Sequence, residues 1–464
     1  MAIADNSRFI GEIEEVLTRE LPVKLGINKK NELVRLIYEI SRTHNITAPD
    51  IIKRAEVEKL AEDGKGGLFH KVKKALLKIR YPSLGPGDDP HIMPVKMDPS
   101  RRECPIWDLE LSPSTIFVEK DIKSLEWTQG FTRKFPEAEV VDINNIKDAA
   151  GYIPATDAVS LYNSRNDRVF LVRARSGFVK ICPCTKGYKR CGYWILNLGF
   201  GCPIDCSYCY LQMYSNAPGL ILPANIEDYY EHIDRFDRKV RKRTRIGTGE
   251  FTDSLALDKY TGYTSRFIPF FRNAGRLVLE LKTKAGEIDG VLSEEPHENV
   301  VVSWSMNPRD IAERYEKGGV SIAERIYAAA RVSRRGYKIG FHFDPVVYYE
   351  GWEDDYKAVV EEMFSFDEIK RNTAWISLGT LRYTPGLKQT AEQRFADTGM
   401  FYRGEFFVDT DGKLRYPRRL RIDMYNKMIS WIRSFDTSCW IYLCMEPEAV
   451  WEKTDLKKSD YSYG

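Results

Sequence analysis

The sequence predicts an α/β protein in which parallel βα units build a partial (β/α)6 barrel, with a helical extension before it and a mixed region after it. Three observations carry this. Apolar residues recur at helical spacing through the first 80 residues. A stretch rich in Pro, Gly and Asp follows, over residues 82–113. Beyond it, short β-like runs alternate with amphipathic helical runs as far as residue 385.

The extension comes first. Phe9, Ile13, Val16 and Leu17 share one helical stripe, and Leu33, Leu36, Ile37 and Ile40 share another. The run 45–50, NITAPD, offers a turn and a helix start. Leu68, Val72, Leu76 and Ile79 form a third stripe, interleaved with Lys71, Lys73, Lys74 and Lys78. That basic face reads either as solvated or as a nucleic-acid contact. After the linker, strands are expected over 115–118, 139–141, 169–173, 193–198, 243–247, 276–282, 300–306, 338–345 and 374–381. Helices are expected over 226–240, 311–335 and 355–364. About six βα units are too few for a closed eight-stranded barrel. The expected divisions are 1–110 (extension and linker), 111–192 (a segment packing on the barrel), 193–385 (barrel) and 386–464 (C-terminal region).

Composition excludes several classes. Lys and Arg total 70 against 67 Asp and Glu, so the chain is no polycation and any nucleic-acid surface is local. The first residues lack the pattern of a secretory leader, and no apolar run is long enough to span a membrane, so a cytoplasmic protein is expected. No P-loop and no H-E-x-x-H motif occurs. Of nine cysteines, three crowd into residues 202–209, which suits reduced, metal-binding thiols better than secretory disulfides.

Those three, Cys202, Cys206 and Cys209, stand in a C-x3-C-x2-C spacing on a loop directly after a β run. Three thiolates can hold three irons of a [4Fe–4S] cube and leave the fourth open. A zinc site normally takes four protein ligands. The spacing is that of the radical SAM superfamily, and the stretch GCPIDCSYCYLQ resembles the spore photoproduct lyase family, which repairs a thymine lesion in DNA. The likeness extends to Thr283 and Lys284, to Ser305, Met306 and Asn307, to the block 335–356 and to 381–384. It begins near Ile116 and reaches over roughly the last 350 residues.

The resemblance implies a radical SAM partial (β/α)6 barrel, a [4Fe–4S] cluster on Cys202, Cys206 and Cys209, and S-adenosyl-L-methionine on the open iron. Reductive cleavage to a 5′-deoxyadenosyl radical would then lead to hydrogen abstraction from a damaged pyrimidine and C–C scission. It implies catalytic roles for Tyr208 and Tyr210, which could instead be packing aromatics. It assigns Lys284 to the cofactor carboxylate, or else leaves it a surface lysine. Ser305 and Asn307 would meet the ribose and methionine, or cap a strand. UV-damaged DNA and a reducing partner such as flavodoxin or ferredoxin follow as partners, with no membrane.

One departure stands out. The family carries a hydrogen-returning cysteine after its second barrel strand, and here Glu250 occupies that place. A carboxylate O–H bond is far stronger than a thiol S–H bond, so Glu250 cannot take over. The run 247–250, GTGE, instead resembles a GGE motif, with Gly249 admitting close approach and Glu250 meeting the cofactor ammonium. Asp253 stays aligned with a family acid. Cys439 and Cys444 are candidate replacement thiols, or small buried hydrophobes. Cys182, Cys184 and Cys191, spaced C-x-C-x6-C, could hold a second metal or be buried or redox-active thiols.

Two more basic runs complete the reading. Residues 235–245 carry seven Lys or Arg and one acid. Residues 413–421 carry Lys413, Arg415, Arg418, Arg419 and Arg421, with Tyr416 between them. The second matches a hairpin region that would meet DNA at the lesion. A packed core position is expected for His342. The alternatives are radical chemistry on RNA, a peptide or a small metabolite, and a cluster-bearing binding or sensing protein without catalysis.

Overall fold

A computed structural model describes residues 6–62, 67–90, 110–153, 157–214 and 217–461 and divides the chain into two compact units. The larger comprises Pro105–Val346, Gly351–Thr380 and Arg419–Gly464. The smaller comprises Met1–Cys104, Val347–Glu350 and Leu381–Arg418. The stretch 386–464 is thus shared between the units and does not form one C-terminal region. Most of the expected linker lies outside the described residues.

The larger unit holds two parallel sheets. β1 (Thr115–Glu119), β2 (Glu139–Ile143), β3 (Arg168–Val172) and β7 (Leu220–Pro223) form the first, in the order β2-β1-β3-β7. Ile116, Val118, Val169, Leu171, Leu220 and Leu222 pack as its core. The second contains β4 (Val179–Ile181), β5 (Trp194–Leu196), β8 (Thr244–Gly247), β9 (Leu277–Thr283), β10 (Val300–Ser305), β12 (Lys338–Val346), β13 (Thr373–Thr380) and β17 (Trp440–Leu443). Its order is β17-β13-β12-β10-β9-β8-β5-β4, all parallel except the β4–β5 hairpin. From β5 onward each strand joins on the same side of its predecessor. Right-handed crossovers then put every helix on one face and curl the sheet toward a barrel. The two ends do not pair, so the barrel stays open. β17 was not expected: only four residues long, it gives little periodic signal.

The expected helix 311–335 is broken. Helices Arg309–Tyr315 and Ile322–Arg335 flank a two-residue strand, β11 (Glu316–Lys317), which pairs antiparallel with β6 (Asp205–Cys206). Gly318 and Gly319 follow β11, and Ser321 caps the second helix with Glu324 in a reciprocal capping box.

The smaller unit carries the helical extension: Asn6–Glu20, Ile27–His44, Ala48–Arg54, Val57–Glu62 and Leu68–Arg80. Asn45 ends the second helix in the left-handed region and Thr47 caps the third, which is the turn and helix start expected at 45–50. Leu68, Val72 and Leu76 are buried as the stripe requires, and Lys73 pairs with Glu32. The helix Pro385–Arg394 belongs to this unit through buried ion pairs. Arg35 makes two bonds of 2.9 Å to Glu392, and Lys388 bonds Glu39 at 2.8 Å. Short strands β14 (Arg382–Tyr383), β15 (Phe407–Val408) and β16 (Leu414–Arg415) form a small antiparallel sheet in the order β14-β16-β15. No helix among the described residues is long and apolar enough to cross a membrane.

Candidate active site

The cysteine loop is strung between the two sheets, leaving β5 of the barrel sheet and entering β7 of the first sheet. Phe200 bridges to Ile221, fixing the loop's start. Gly199 has φ of +131°, and a Cβ there would stand 2.6 Å from the Ile221 carbonyl oxygen, so only glycine lets the loop pass this close. Cys206 is further held by the β6–β11 pairing, opposite Glu316. Cys202 and Cys206 are buried; Cys209 is half-buried.

Two cationic groups back the thiols. The Arg165 guanidinium donates to the Cys202 carbonyl at 3.0 Å, stands 3.4 Å from Asp205, and stacks 4.2 Å from the Tyr162 ring centroid. Lys284 follows the end of β9, with its ammonium 5.9 Å from the Tyr208 ring centroid. Burial raises the Cys206 thiol, Lys284 pulls it down, and Glu316 and Cys209 raise it again, to about 12. Burial raises Cys202 and Cys209 as well, and Arg165 opposes the shift at both.

Glu316 organises the polar side of the loop. It accepts bonds from the Tyr208 hydroxyl and from Asn307 Nδ2 at 2.9 Å, and pairs with fully buried Arg325 at 2.6 Å. Burial works against its charge, but Arg325, Lys284 and the Tyr208 bond hold the carboxyl down to about 2. Asn307 takes a second bond from Tyr356 at 2.9 Å, and Arg325 also donates to the Ser305 carbonyl at 2.9 Å. Asp253 ties the end of β8 to the end of β9 by accepting from the Lys284 amide at 2.8 Å and the Thr283 hydroxyl at 2.6 Å. Gly249 lies against β9; a Cβ there would stand 2.9 Å from the Lys282 Cβ. Glu250 is exposed just beyond it.

Cys202, Cys206, Cys209, Tyr208, Lys284, Ser305 and Asn307 therefore share one linked network at the carboxyl ends of the barrel strands. Tyr210 is half-buried and opens the short helix after Cys209. The charge of Glu250 also acts on Cys182 and Tyr193. Sequence reading missed Arg165, Asp205, Glu316 and Arg325. Asp205 sat inside the cysteine motif, and the adjacent Gly318 and Gly319 were the sign that the 311–335 helix must break near Glu316.

Other expectations are corrected. Arg415 and Arg421 are buried, Arg415 against Asp411 at 2.5 Å and Arg421 against Glu446 at 2.9 Å. Tyr416 is buried too, its ring 4.4 Å from that of Phe406. Lys413 is half-buried on Asp411, so of the six only Arg418 and Arg419 are exposed. In the 235–245 run Arg245 lies inside the barrel, bonded to the Tyr442 hydroxyl at 2.9 Å and stacked on Trp375, Trp440 and Tyr442. His342 is buried as expected, 2.7 Å from Glu280. Cys439 is buried, its carbonyl held by Arg433 at 2.6 Å, and its thiol is pushed up to about 12, first by burial and then by Asp436.

An open parallel barrel whose strand ends carry a buried three-cysteine loop, with no fourth thiol in the motif, defines a radical SAM enzyme, a class that uses a [4Fe–4S] cluster and S-adenosyl-L-methionine. The donor set suits that cluster: three thiols on one loop, with cations behind them. Within the class, the chain belongs to the spore photoproduct lyase family, whose family model matches residues 112–405. The spore photoproduct lyase of Bacillus subtilis is 26% identical over 295 residues, covering 62% of this chain and 83% of that enzyme. That of Geobacillus sp. is 24% identical over 297 residues, with the same coverage. A solved spore photoproduct lyase in complex with dinucleoside spore photoproduct superposes with a TM-score of 0.62 at 20% identity, covering 72% of this chain and 99% of that one. A doubly substituted form of that lyase, with S-adenosyl-L-methionine and the dinucleoside bound, gives 0.62 over 72% and 100%.

Proposed function

We propose that this protein reverses a pyrimidine photolesion in DNA by C–C bond cleavage. The family match across 112–405, with the cysteine loop at the carboxyl ends of the barrel strands, carries the reading. When bound, the cluster and S-adenosyl-L-methionine supply one-electron-triggered hydrogen abstraction from substrate. The chain's own part is placement. Cys202, Cys206 and Cys209 would hold three irons of the cluster. Lys284, fixed by Asp253, offers a cation to the cofactor carboxylate, while Gly249 and Glu250 offer close approach and an anion to its ammonium. Ser305 and Asn307 would orient the remainder, and Tyr208 and Tyr210, which flank Cys209, would serve catalysis beside the cluster. UV-damaged DNA is the substrate, a low-potential carrier such as flavodoxin or ferredoxin is the electron source, and the cytoplasm is the compartment.

The test is anaerobic turnover of the reconstituted protein on dinucleoside spore photoproduct beside other UV lesions. Restored thymine dinucleoside together with 5′-deoxyadenosine is expected. Formation of 5′-deoxyadenosine without repair of any lesion supplied would overturn the photolesion assignment and leave the class intact.

A further inference from the structure

Repair by a radical route leaves a carbon radical on the product, and that radical must take up a hydrogen atom. Among protein side chains a thiol S–H is the weak bond that can release one readily; a carboxylic O–H is not. Glu250, at the end of β8, is therefore useless for this step.

The hairpin from β4 to β5 supplies thiols at that place. Cys182 and Tyr193 extend the ladder past the strand ends, the Cys182 amide donating to the Tyr193 carbonyl at 3.1 Å. A tight turn follows, with the Cys184 amide bonded to the Cys182 carbonyl at 2.8 Å. This brings the two sulfurs to 3.6 Å, with the Cys184 thiol directed at Cys182. Both residues are half-buried. Glu250 lies close enough to act on the Cys182 thiol electrostatically, as does Cys444. Cys191 is set apart, receiving the Arg245 guanidinium at 3.6 Å. Cys439 cannot serve: it is buried before β17, at the opposite end of that strand from Cys444.

A metal site is the competing use of these thiols. In the hairpin only Cys182 and Cys184 are drawn together, at 3.6 Å, while Cys191 is taken up by Arg245. Burial and the Glu250 charge raise Cys182, so it keeps its S–H at neutral pH. A hydrogen-atom donor needs that bond.

We propose that Cys182 returns the hydrogen atom to the product radical and that Cys184 is its relay partner. The Cys182 S–H bond breaks, a product C–H bond forms, and a thiyl radical remains on Cys182. The Cys184 S–H then passes its hydrogen to that sulfur, moving the thiyl to Cys184. One electron from the low-potential carrier and one solvent proton restore the second thiol. This inference rests on the photolesion reading.

The experiment is turnover in D2O with dinucleoside spore photoproduct, comparing wild type, Cys182→Ala, Cys184→Ala and Cys444→Ala. Wild type is expected to place one solvent deuterium in each restored dinucleoside. Cys182→Ala keeps 5′-deoxyadenosine formation but loses restored product by at least about tenfold, and what forms carries no deuterium. Cys184→Ala slows repeated turnover more than the first, and Cys444→Ala behaves as wild type. Deuterium delivery at the wild-type rate by Cys182→Ala overturns the assignment. An independent readout uses unloaded protein: mild diamide oxidation should join Cys182 to Cys184, seen as a loss of two hydrogens in one peptide, and failure to do so overturns the pairing. A wild type that restores no dinucleoside overturns the photolesion reading, and this inference with it, a result distinct from unaffected variants.

Discussion

Each unit hides a knot of charges, and the two knots are built from the same parts. In the smaller unit Arg35 and Lys388 face Glu39 and Glu392, and the Tyr402 hydroxyl donates to Glu392. In the larger, Arg325 and Lys284 face Glu316, and the Tyr208 hydroxyl donates to it. In both, burial opposes the carboxylate charges, yet neighbouring cations hold the carboxyls below their ordinary value. Shifted titration alone therefore does not mark a site. The difference lies in the company kept. The knot of the larger unit borders Cys206 and Cys209, whereas no described cysteine belongs to the smaller unit. One knot lies against the cysteine loop; the other ties the extension to the 381–418 stretch.

The largest expected effect separates the two outright. Cys206→Ala should abolish the visible absorbance and iron content of the reconstituted protein and reduce 5′-deoxyadenosine to background. Glu392→Gln should leave iron content unchanged. Iron retained by Cys206→Ala, at the wild-type ratio per chain, would sink the cluster assignment.

Next come paired removals of one carboxylate. Deleting one partner of a buried ion pair typically costs about 3–5 kcal/mol, because the other charge is left buried and uncompensated. Glu316→Gln leaves Arg325 without its carboxylate partner, whereas Arg35 keeps Glu39 at 3.0 Å when Glu392 is removed, so Glu316→Gln should lower thermal stability by several degrees and Glu392→Gln by less. Only Glu316→Gln should also weaken S-adenosyl-L-methionine binding, measured by equilibrium dialysis on reconstituted protein. Equal weakening by Glu392→Gln would break the comparison, since it would mean that the smaller unit's knot also serves the site.

Acid sharpens the same contrast. The Glu316 carboxyl falls from 4.5 to about 2 in the folded chain. A lowered carboxyl contributes stability that is present above its unfolded value and is lost as pH falls through the folded one. Here the loss runs from about pH 4.5 down to about 2 and amounts to about 3 kcal/mol. Urea melts across that window should show it, and Glu316→Gln should flatten this part of the profile. A wild-type profile that is already flat from pH 4.5 to 2 would show the knot to be unformed.

Much of this was legible beforehand. The parallel units, the buried stripe of Leu68, Val72 and Leu76, and the cysteine loop all rest on local spacing. Periodicity and motif distance survive folding unchanged. What stayed hidden depends on partners far apart in the chain. Arg165 reaches the Cys202 carbonyl, and Glu316 reaches Tyr208, across separations that no window of sequence spans. The basic run 413–421 misled for the same reason. Asp411 and Glu446 neutralise Arg415 and Arg421 only after the chain has folded. A run of like charges states the composition of a segment, and burial decides which of its members face water.

The smallest effect follows from that last point. If DNA is the substrate, Arg418 and Arg419 are the members of the run free to meet phosphates, since both are exposed. Removing one cation that meets a phosphate should reduce the slope of log affinity against log salt by about 0.9 for duplex DNA. Arg418→Ala together with Arg419→Ala should therefore flatten the slope by up to about 1.8 while leaving the melting temperature alone. Arg415→Ala should do the reverse: it leaves Asp411 with Lys413 alone, removes a buried side chain and destabilises, with no change in slope. Fluorescence anisotropy on UV-irradiated duplex at several salt concentrations measures the first, and thermal melting measures the second. An unchanged slope in the Arg418 and Arg419 double variant would remove this run from the DNA surface altogether. The exposed lysines of the helix Leu68–Arg80, Lys74 and Lys78, would then be the next basic residues to test.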